Sequence, residues 1–213
     1  MSAAEEMAEF VLLWERVQEV TFSDRADTIT WKWSANGLYS SKSAYGIQFV
    51  GSYCTFNSKA IWKAKAEGKH RFFGWLLLQQ KIQTADILLV KGIPCNPVCC
   101  LCDQAPETAA HLCLHCPFAQ EVWFLVHTWT GGLFSMPPSG VQVQDWWNEA
   151  MRLAIAHTKP TLAAILLYTV WNIWNERNRR IFQGLMQTPV RIFGLIKQEM
   201  AFRQQACEER GTP

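Results

Sequence analysis

Cys99 and Cys102 stand three residues apart, His111 follows, and Cys116 comes five residues after that. Cys-x2-Cys is the shortest common spacing that lets two thiolates bite one ion. A Cys3His set of this kind is typical of closed structural zinc sites, in which four protein ligands leave no open position for catalysis. Six of the chain's eight cysteines fall within 22 residues, at 95, 99, 100, 102, 113 and 116. Other assignments inside that cluster are weaker. Cys100 is separated from Cys102 by one residue, too tight for a thiolate knuckle. Residues 107–115 read as helical, which turns Cys113 to a different face from His111. Pro117 is expected to end that helix and let Cys116 turn back. His115, one turn beyond His111, is the most credible substitute ligand, and the spacing alone leaves that choice open. The plainer account of so many thiols is burial, because free cysteine behaves as a small apolar residue. Cys54, Cys95 and Cys207 are assigned to core or surface.

Compartment and charge narrow the classes. The N-terminus carries Glu5, Glu6 and Glu9 among small residues, with neither the basic start nor the apolar stretch of a secretory signal. The longest apolar run, 162–174, is broken by Thr169 and Asn172 and is too short to span a bilayer. An intracellular, reducing location is therefore expected, nucleus or cytoplasm undetermined, with no membrane partner and no disulfide framework. Twenty Lys plus Arg against eighteen Asp plus Glu leave a net charge of +2, which excludes a wholly basic binding protein. Any contact with nucleic acid must come from a local patch.

Elements to position these ligands can be read from periodicity. Residues 4–20 carry Met7, Phe10, Val11, Trp14 and Val17 at helical spacing. Residues 28–33 alternate β-branched and aromatic side chains before Asn36-Gly37, predicting a β-hairpin that closes with residues 38–40. Helices are expected over 41–49, around 61–62, through 72–77, from Thr84 to Val90 and through 122–126. Gly131-Gly132 and the Pro-rich stretch to 144 read as a linker. Helical stretches come next at 144–156, 160–182 and 188–208.

These motifs, taken in order, resemble the zinc-binding region at the C-terminal side of plant LINE-type (non-LTR) reverse transcriptases. The residues that carry the resemblance are Trp31-Lys32-Trp33, Asn36-Gly37, Tyr39-Ser40, Lys42-Ser43-Ala44-Tyr45 and Ile61-Trp62-Lys63. They continue as Phe72-Phe73-Gly74-Trp75-Leu76-Leu77, Thr84-Ala85-Asp86, Cys99 to Cys102, Glu107-Thr108-Ala109-Ala110-His111 and Cys116-Pro117-Phe118. Residues 171–182, with Trp171, Trp174, Asn175-Glu176-Arg177 and Arg179-Arg180, look like the next segment in such elements. The family often has Pro-Pro-Lys where this chain has Glu67-Gly68-Lys69. A polymerase needs paired aspartates for two metal ions, and none of the five aspartates here adjoins another. The resemblance thus implies a stand-alone, non-enzymatic zinc module of retroelement origin, without the polymerase domain.

The expected fold is α+β, mainly α-helical, with a small N-terminal β-hairpin, a helical zinc-binding module and C-terminal helices. Its parts are 1–26 (helix and connector), 27–130 (zinc-binding domain), 131–144 (linker) and 145–213 (helical region). One structural zinc is expected on Cys99, Cys102, His111 and Cys116. Lys59, Lys63, Lys65, Lys69 and Arg71, opposed only by Glu67 and interleaved with Trp62, Phe72, Phe73 and Trp75, are the candidate contacts to RNA or single-stranded DNA. The bland alternative is a solvated basic face, and the helical spacing of Phe72 and Leu76 predicts core aromatics. Arg177, Arg179 and Arg180 read mainly as partners of a helix C-terminus, and most tryptophans as core. Trp146-Trp147 are expected at a partner surface, which supports a second function class, a protein-interaction adaptor using the C-terminal helices. A functionless remnant of a decayed element is the third.

Overall fold

The computed structural model describes residues 3–19, 28–48 and 58–209. The expected connector at 21–26, the loop at 51–57 with Cys54, and the side chain of Cys207 lie outside the described residues. The chain divides into two units, Met1–Tyr53 and Cys54–Pro213.

In the first unit, α1 (Ala3–Gln18) has the expected periodicity. Its apolar side chains, Phe10 and Trp14 among them, are exposed, and those two rings stack on each other. The predicted hairpin does not form, and the described residues are helical rather than α+β. Residues 28–40 are a succession of turns. The Trp31 amide donates to the Gly37 carbonyl at 2.8 Å, and the Ser34 hydroxyl donates to the Leu38 carbonyl at 2.8 Å. The hairpin fails for want of a second arm. Only residues 38–40 separate Asn36-Gly37 from the start of α2 (Ser41–Gln48). Ser40 and Ser43 cap that helix reciprocally, each backbone N–H donating to the other's hydroxyl, at 3.2 and 3.1 Å. The cap draws the second arm into a helix start, so the alternating first arm has no partner strand. Among the described residues, β-type pairing is confined to one isolated antiparallel bridge, Val98 with Pro106.

The second unit is built around α8 (Lys159–Gln183). Residues 162–170 of this helix are buried on every side, the pattern of a central rather than a surface helix. The polar residues that break its apolar run satisfy themselves locally. Thr169 donates to the Ile165 carbonyl at 2.8 Å, and Asn172 to that of Tyr168 at 3.0 Å. Pro160 sits in the first turn, where a missing N–H costs nothing, and Gly184, at φ +65°, closes the helix in the left-handed region.

Around it pack α3 (Ser58–Lys63), α4 (Gly68–Leu78), α6 (Pro117–Trp129) and α9 (Pro189–Glu209), with α7 (Val143–Leu153) against α4. A short α5 (Ala85–Val90) precedes the cysteine-rich segment. Helix α4 approaches α8 closely at Gly74, where an added Cβ would lie 2.1 Å from a Leu167 methyl. The inward face of α4 is His70, Phe73, Leu77 and Leu78, one position round from the expected stripe, and Phe72 is 54% exposed.

Trp146 and Trp147 are not surface residues. They are 5% and 2% exposed, with Trp146 edge-on to Trp123 at 4.9 Å, because α7 is wedged into the core. Among the described residues, no helix is long and apolar enough to cross a membrane.

Candidate metal centre

The knuckle begins at Cys99. Its N–H donates to the Ala105 carbonyl at 2.8 Å, and the Glu107 N–H donates to the Pro97 carbonyl at the same distance, folding 97–107 back on itself. The Cys102 and Asp103 amides both return to the Cys99 carbonyl, at 3.3 and 2.8 Å. Asp103 takes a left-handed φ of +54°, which an aspartate tolerates better than most side chains. This tight turn directs Cys99 and Cys102 to one point.

The other two ligands come from a π-helical turn, His111–His115. In a regular α-helix, five residues rotate about 140° beyond a full turn, which would carry Cys116 away from His111. Here the Cys116 N–H reaches the His111 carbonyl at 2.7 Å, the i to i+5 bond of a π-turn, and the extra residue brings the two back together. Cys116 then leaves helical geometry at ψ 132°, and Pro117 opens α6. Proline here starts the next helix as well as stopping the last one.

The outcome is a set of four ligand atoms, on Cys99, Cys102, His111 and Cys116, all within 4.8 Å of one another. Cys99 Sγ lies 4.0 Å from Cys116 Sγ, and Cys102 Sγ lies 3.3 Å from His111 Nε2. Tetrahedral zinc with sulfur ligands at about 2.3 Å needs S···S edges of about 3.8 Å, within the range of separations this set shows. Cys99 and Cys116 are buried and the other two half-buried. The Cys99 thiol is pushed up by its hydrogen bond to Cys116 and by burial, and Cys116 is drawn down by accepting that bond. Burial, then His115, lowers His111, which keeps its imidazole neutral as a ligand requires. The cluster suits one structural zinc ion, which would supply a fixed cross-link between the knuckle and the π-turn.

The other thiols of the cysteine-rich segment and His115 are placed elsewhere. His115 Nε2 contacts the Val141 carbonyl at 2.9 Å, away from the cluster. Cys113 is fully buried in the core. Cys100 is half-buried, with its thiol directed to the Arg177 carbonyl at 3.8 Å and its pKa pushed up to about 11 by burial. Cys95 is half-buried and directed to the Ala85 carbonyl at 3.7 Å.

Residues 39–123 match the protein family described as zinc-binding in reverse transcriptase. This segment is similar to the zinc-binding region of reverse transcriptases. A provisionally named ribonuclease H protein of Arabidopsis thaliana is 26% identical to this chain over 104 residues, or 47% of the chain. Those residues span 17% of that protein. No solved structure matches the chain.

The zinc-binding region is clamped to α8 by side chains whose role the sequence alone did not reveal. Arg177 meets the carboxylate of Glu107 at 2.7 Å, and the same carboxylate accepts the Ala85 N–H at 2.9 Å, capping α5. Arg180 donates to the carbonyls of Cys100 and Leu101, at 3.0 and 3.1 Å, inside the knuckle. Glu176, fully buried, holds Arg179 and Arg180 and accepts the Gln187 N–H at 2.8 Å. Arg177 and Arg180 also lie over the rings of Trp174 and Phe118. This arginine cluster is thus structural. Glu107, shortly after the Cys-x2-Cys loop, and the Glu-Arg run at 176–180 were visible signals, but the pairing of Glu107 with Arg177 spans 70 residues.

The five candidate nucleic-acid residues fall in different settings. Lys59 and Lys63 are exposed on α3 and line a cavity of about 280 Å³ with Lys159. Lys65 lines a second cavity of about 440 Å³ with Arg203. Lys69 lies over the Trp171 ring at 5.7 Å, and Arg71 donates to the Trp62 carbonyl at 3.0 Å.

Proposed function

We propose that this chain is a non-enzymatic zinc-binding module of retroelement origin that contacts single-stranded nucleic acid through the basic stretch at 59–71. The observation that carries the reading is the state of Glu67, the one acid in that stretch. Its carboxylate accepts the Tyr168 hydroxyl at 2.5 Å and faces His70 Nδ1 at 2.8 Å. Glu67 is therefore engaged with the core side of the molecule, and the exposed Lys59, Lys63 and Lys65 are left without a neutralising partner in the stretch. Trp62 and Phe72 stand exposed among these cations, as base stacking requires. In this reading the zinc would be structural, tying the knuckle to the π-turn rather than acting on a substrate. The buried carboxylates Glu107 and Glu176 are taken by arginines, which supports a role without hydrolytic chemistry.

The test is fluorescence anisotropy of RNA, single-stranded DNA and duplex over a salt series. Four or five phosphate contacts give a slope of log affinity against log salt of about −3 to −4, and Lys59→Ala with Lys63→Ala lowers it by about 1.5. No binding at low salt overturns the reading.

A second reading, an adaptor, is favoured by a specific feature. Ile181, Phe182, Leu185, Met186 and Val190 are all exposed where α8 passes into α9. Substituting Phe182 would then abolish association with a partner while leaving nucleic-acid binding intact.

A further inference from the structure

We infer that a single strand crosses the N-terminal end of α8, with phosphates held by Lys59, Lys63 and Lys159 and one nucleotide seated in the adjoining cavity closed by Arg203. The inference rests on the nucleic-acid reading above and adds a path and two cations to it.

Two cavities lie at this end of the helix. The smaller, about 280 Å³, is lined by Lys59, Ala60, Lys63, Ala156, Lys159 and Pro160. The larger, about 440 Å³, is lined by Lys65, Thr161, Ala164, Tyr168, Met200, Arg203 and Gln204. Their linings are neighbours in the chain: Lys63 and Lys65 are two residues apart, Pro160 and Thr161 are adjacent, and the Lys65 N–H donates to the Pro160 carbonyl at 2.9 Å. Three lysines in the first cavity, with no carboxylate among its lining residues, suit a phosphate. The second differs in kind. Ala164, Met200 and the Tyr168 ring give it an apolar wall, while Lys65 and Arg203 supply charge and Thr161 and Gln204 supply hydrogen bonds. Its volume falls in the range of small-ligand sites of about 300–1,000 Å³. A flat apolar base joined to an anionic phosphate matches that mixture, whereas a bare polyanion would leave the apolar wall unused.

None of Lys59, Lys63, Lys65, Lys159 and Arg203 forms an ion pair among the described residues. Glu67, whose carboxyl feels the Arg203 charge, also accepts the Tyr168 hydroxyl, and Glu199 is held by Asn172 at 2.8 Å with His70 at 3.5 Å. Lys69 and Arg71, by contrast, are engaged with Trp171 and the Trp62 carbonyl and fall off this path.

The experiment is anisotropy of a short oligothymidylate, its oligouridylate counterpart and a duplex across a salt series, with zinc content and melting of every variant checked. Lys159→Gln and Arg203→Gln are each expected to lower the salt slope by about 0.7. Thr161→Phe, which fills the second cavity without removing charge, is expected to weaken single-strand binding at least fivefold at an unchanged slope. Lys91→Gln, outside this surface and replacing a lysine that donates to Gln83 at 2.8 Å, is expected to leave the slope as it is. Binding that responds to Lys59 and Lys63 but not to Lys159, Arg203 or Thr161 overturns this path and leaves the basic-stretch reading standing. Preference for the duplex with an unaffected Thr161→Phe variant also overturns it. Absence of binding to all three probes overturns both.

Discussion

The guanidinium of Arg177 and the carboxylate of Glu107 lie 2.7 Å apart, and their side chains are only 5% and 2% exposed. A charge pair sealed this well is tolerable only while both partners are present. Glu107→Gln or Arg177→Met alone should destabilise the second unit by about 3–5 kcal/mol, because each leaves a buried charge unpaired. The double variant should lose less than the sum of the two. Urea denaturation of the four proteins measures this, and additive losses would contradict it.

Zinc content distinguishes the two histidines. Reduced wild-type protein should carry close to one zinc per chain. Cys102→Ser, Cys116→Ser and His111→Ala should lose it, and His115→Ala should keep it, because that ring contacts the Val141 carbonyl. Apparent zinc binding energies of about 10–16 kcal/mol are as large as a domain's whole stability, so chelator should lower the melting temperature sharply. Elemental analysis and thermal melting with and without chelator are the measurements.

Stability should fall in acid, in part through Glu67 and Glu199. Burial works to raise both carboxyls, but the hydrogen bond from Tyr168 to Glu67, and the contacts of Glu199 with His70 and Asn172, outweigh it. Both end below the ordinary 4.5. A carboxyl depressed in the folded state binds protons more readily when unfolded. Its stabilising contribution is complete above the unfolded value and drains away as pH falls through the lower folded one. Tyr168→Phe should therefore flatten the acid limb of a stability profile taken between about pH 6 and pH 3, with zinc release monitored in parallel. A profile identical to wild type would refute the assignment.

Gly74→Ala should cost about 1–3 kcal/mol, since the new methyl meets buried Leu167. Combining it with Leu167→Ala should recover part of that loss. Thermal melting of the single and double variants decides the matter.

What the sequence made legible was local. Cys99, Cys102, His111 and Cys116 lie within 18 residues, so spacing chemistry alone reached them. The long helices were equally plain, because one-dimensional periodicity reports one-dimensional order. What failed was decided by neighbours distant in the chain or by competition between local signals. The alternation at 28–33 was real, yet the Ser40–Ser43 cap took the residues it needed for pairing. Trp146-Trp147 read as surface because no single helix face hides two successive tryptophans; a helix wedged between neighbours hides both. Glu107 and Arg177 each looked like an ordinary charged residue until the fold set them side by side.

The grip of Arg180 on the Cys100 and Leu101 carbonyls bears on how this protein can be cut. The recognisable motif ends at Trp123, and a fragment trimmed to 39–123 would retain every zinc ligand. It would nevertheless lack Arg177, Arg180 and the whole of α8, on which the knuckle rests. The boundary by which this region is recognised in sequences is narrower than the compact unit, Cys54–Pro213, that contains the cluster. An excision designed on the former should yield a metal-dependent, poorly soluble piece, whereas one beginning near Ser58 and running through α9 carries its own support.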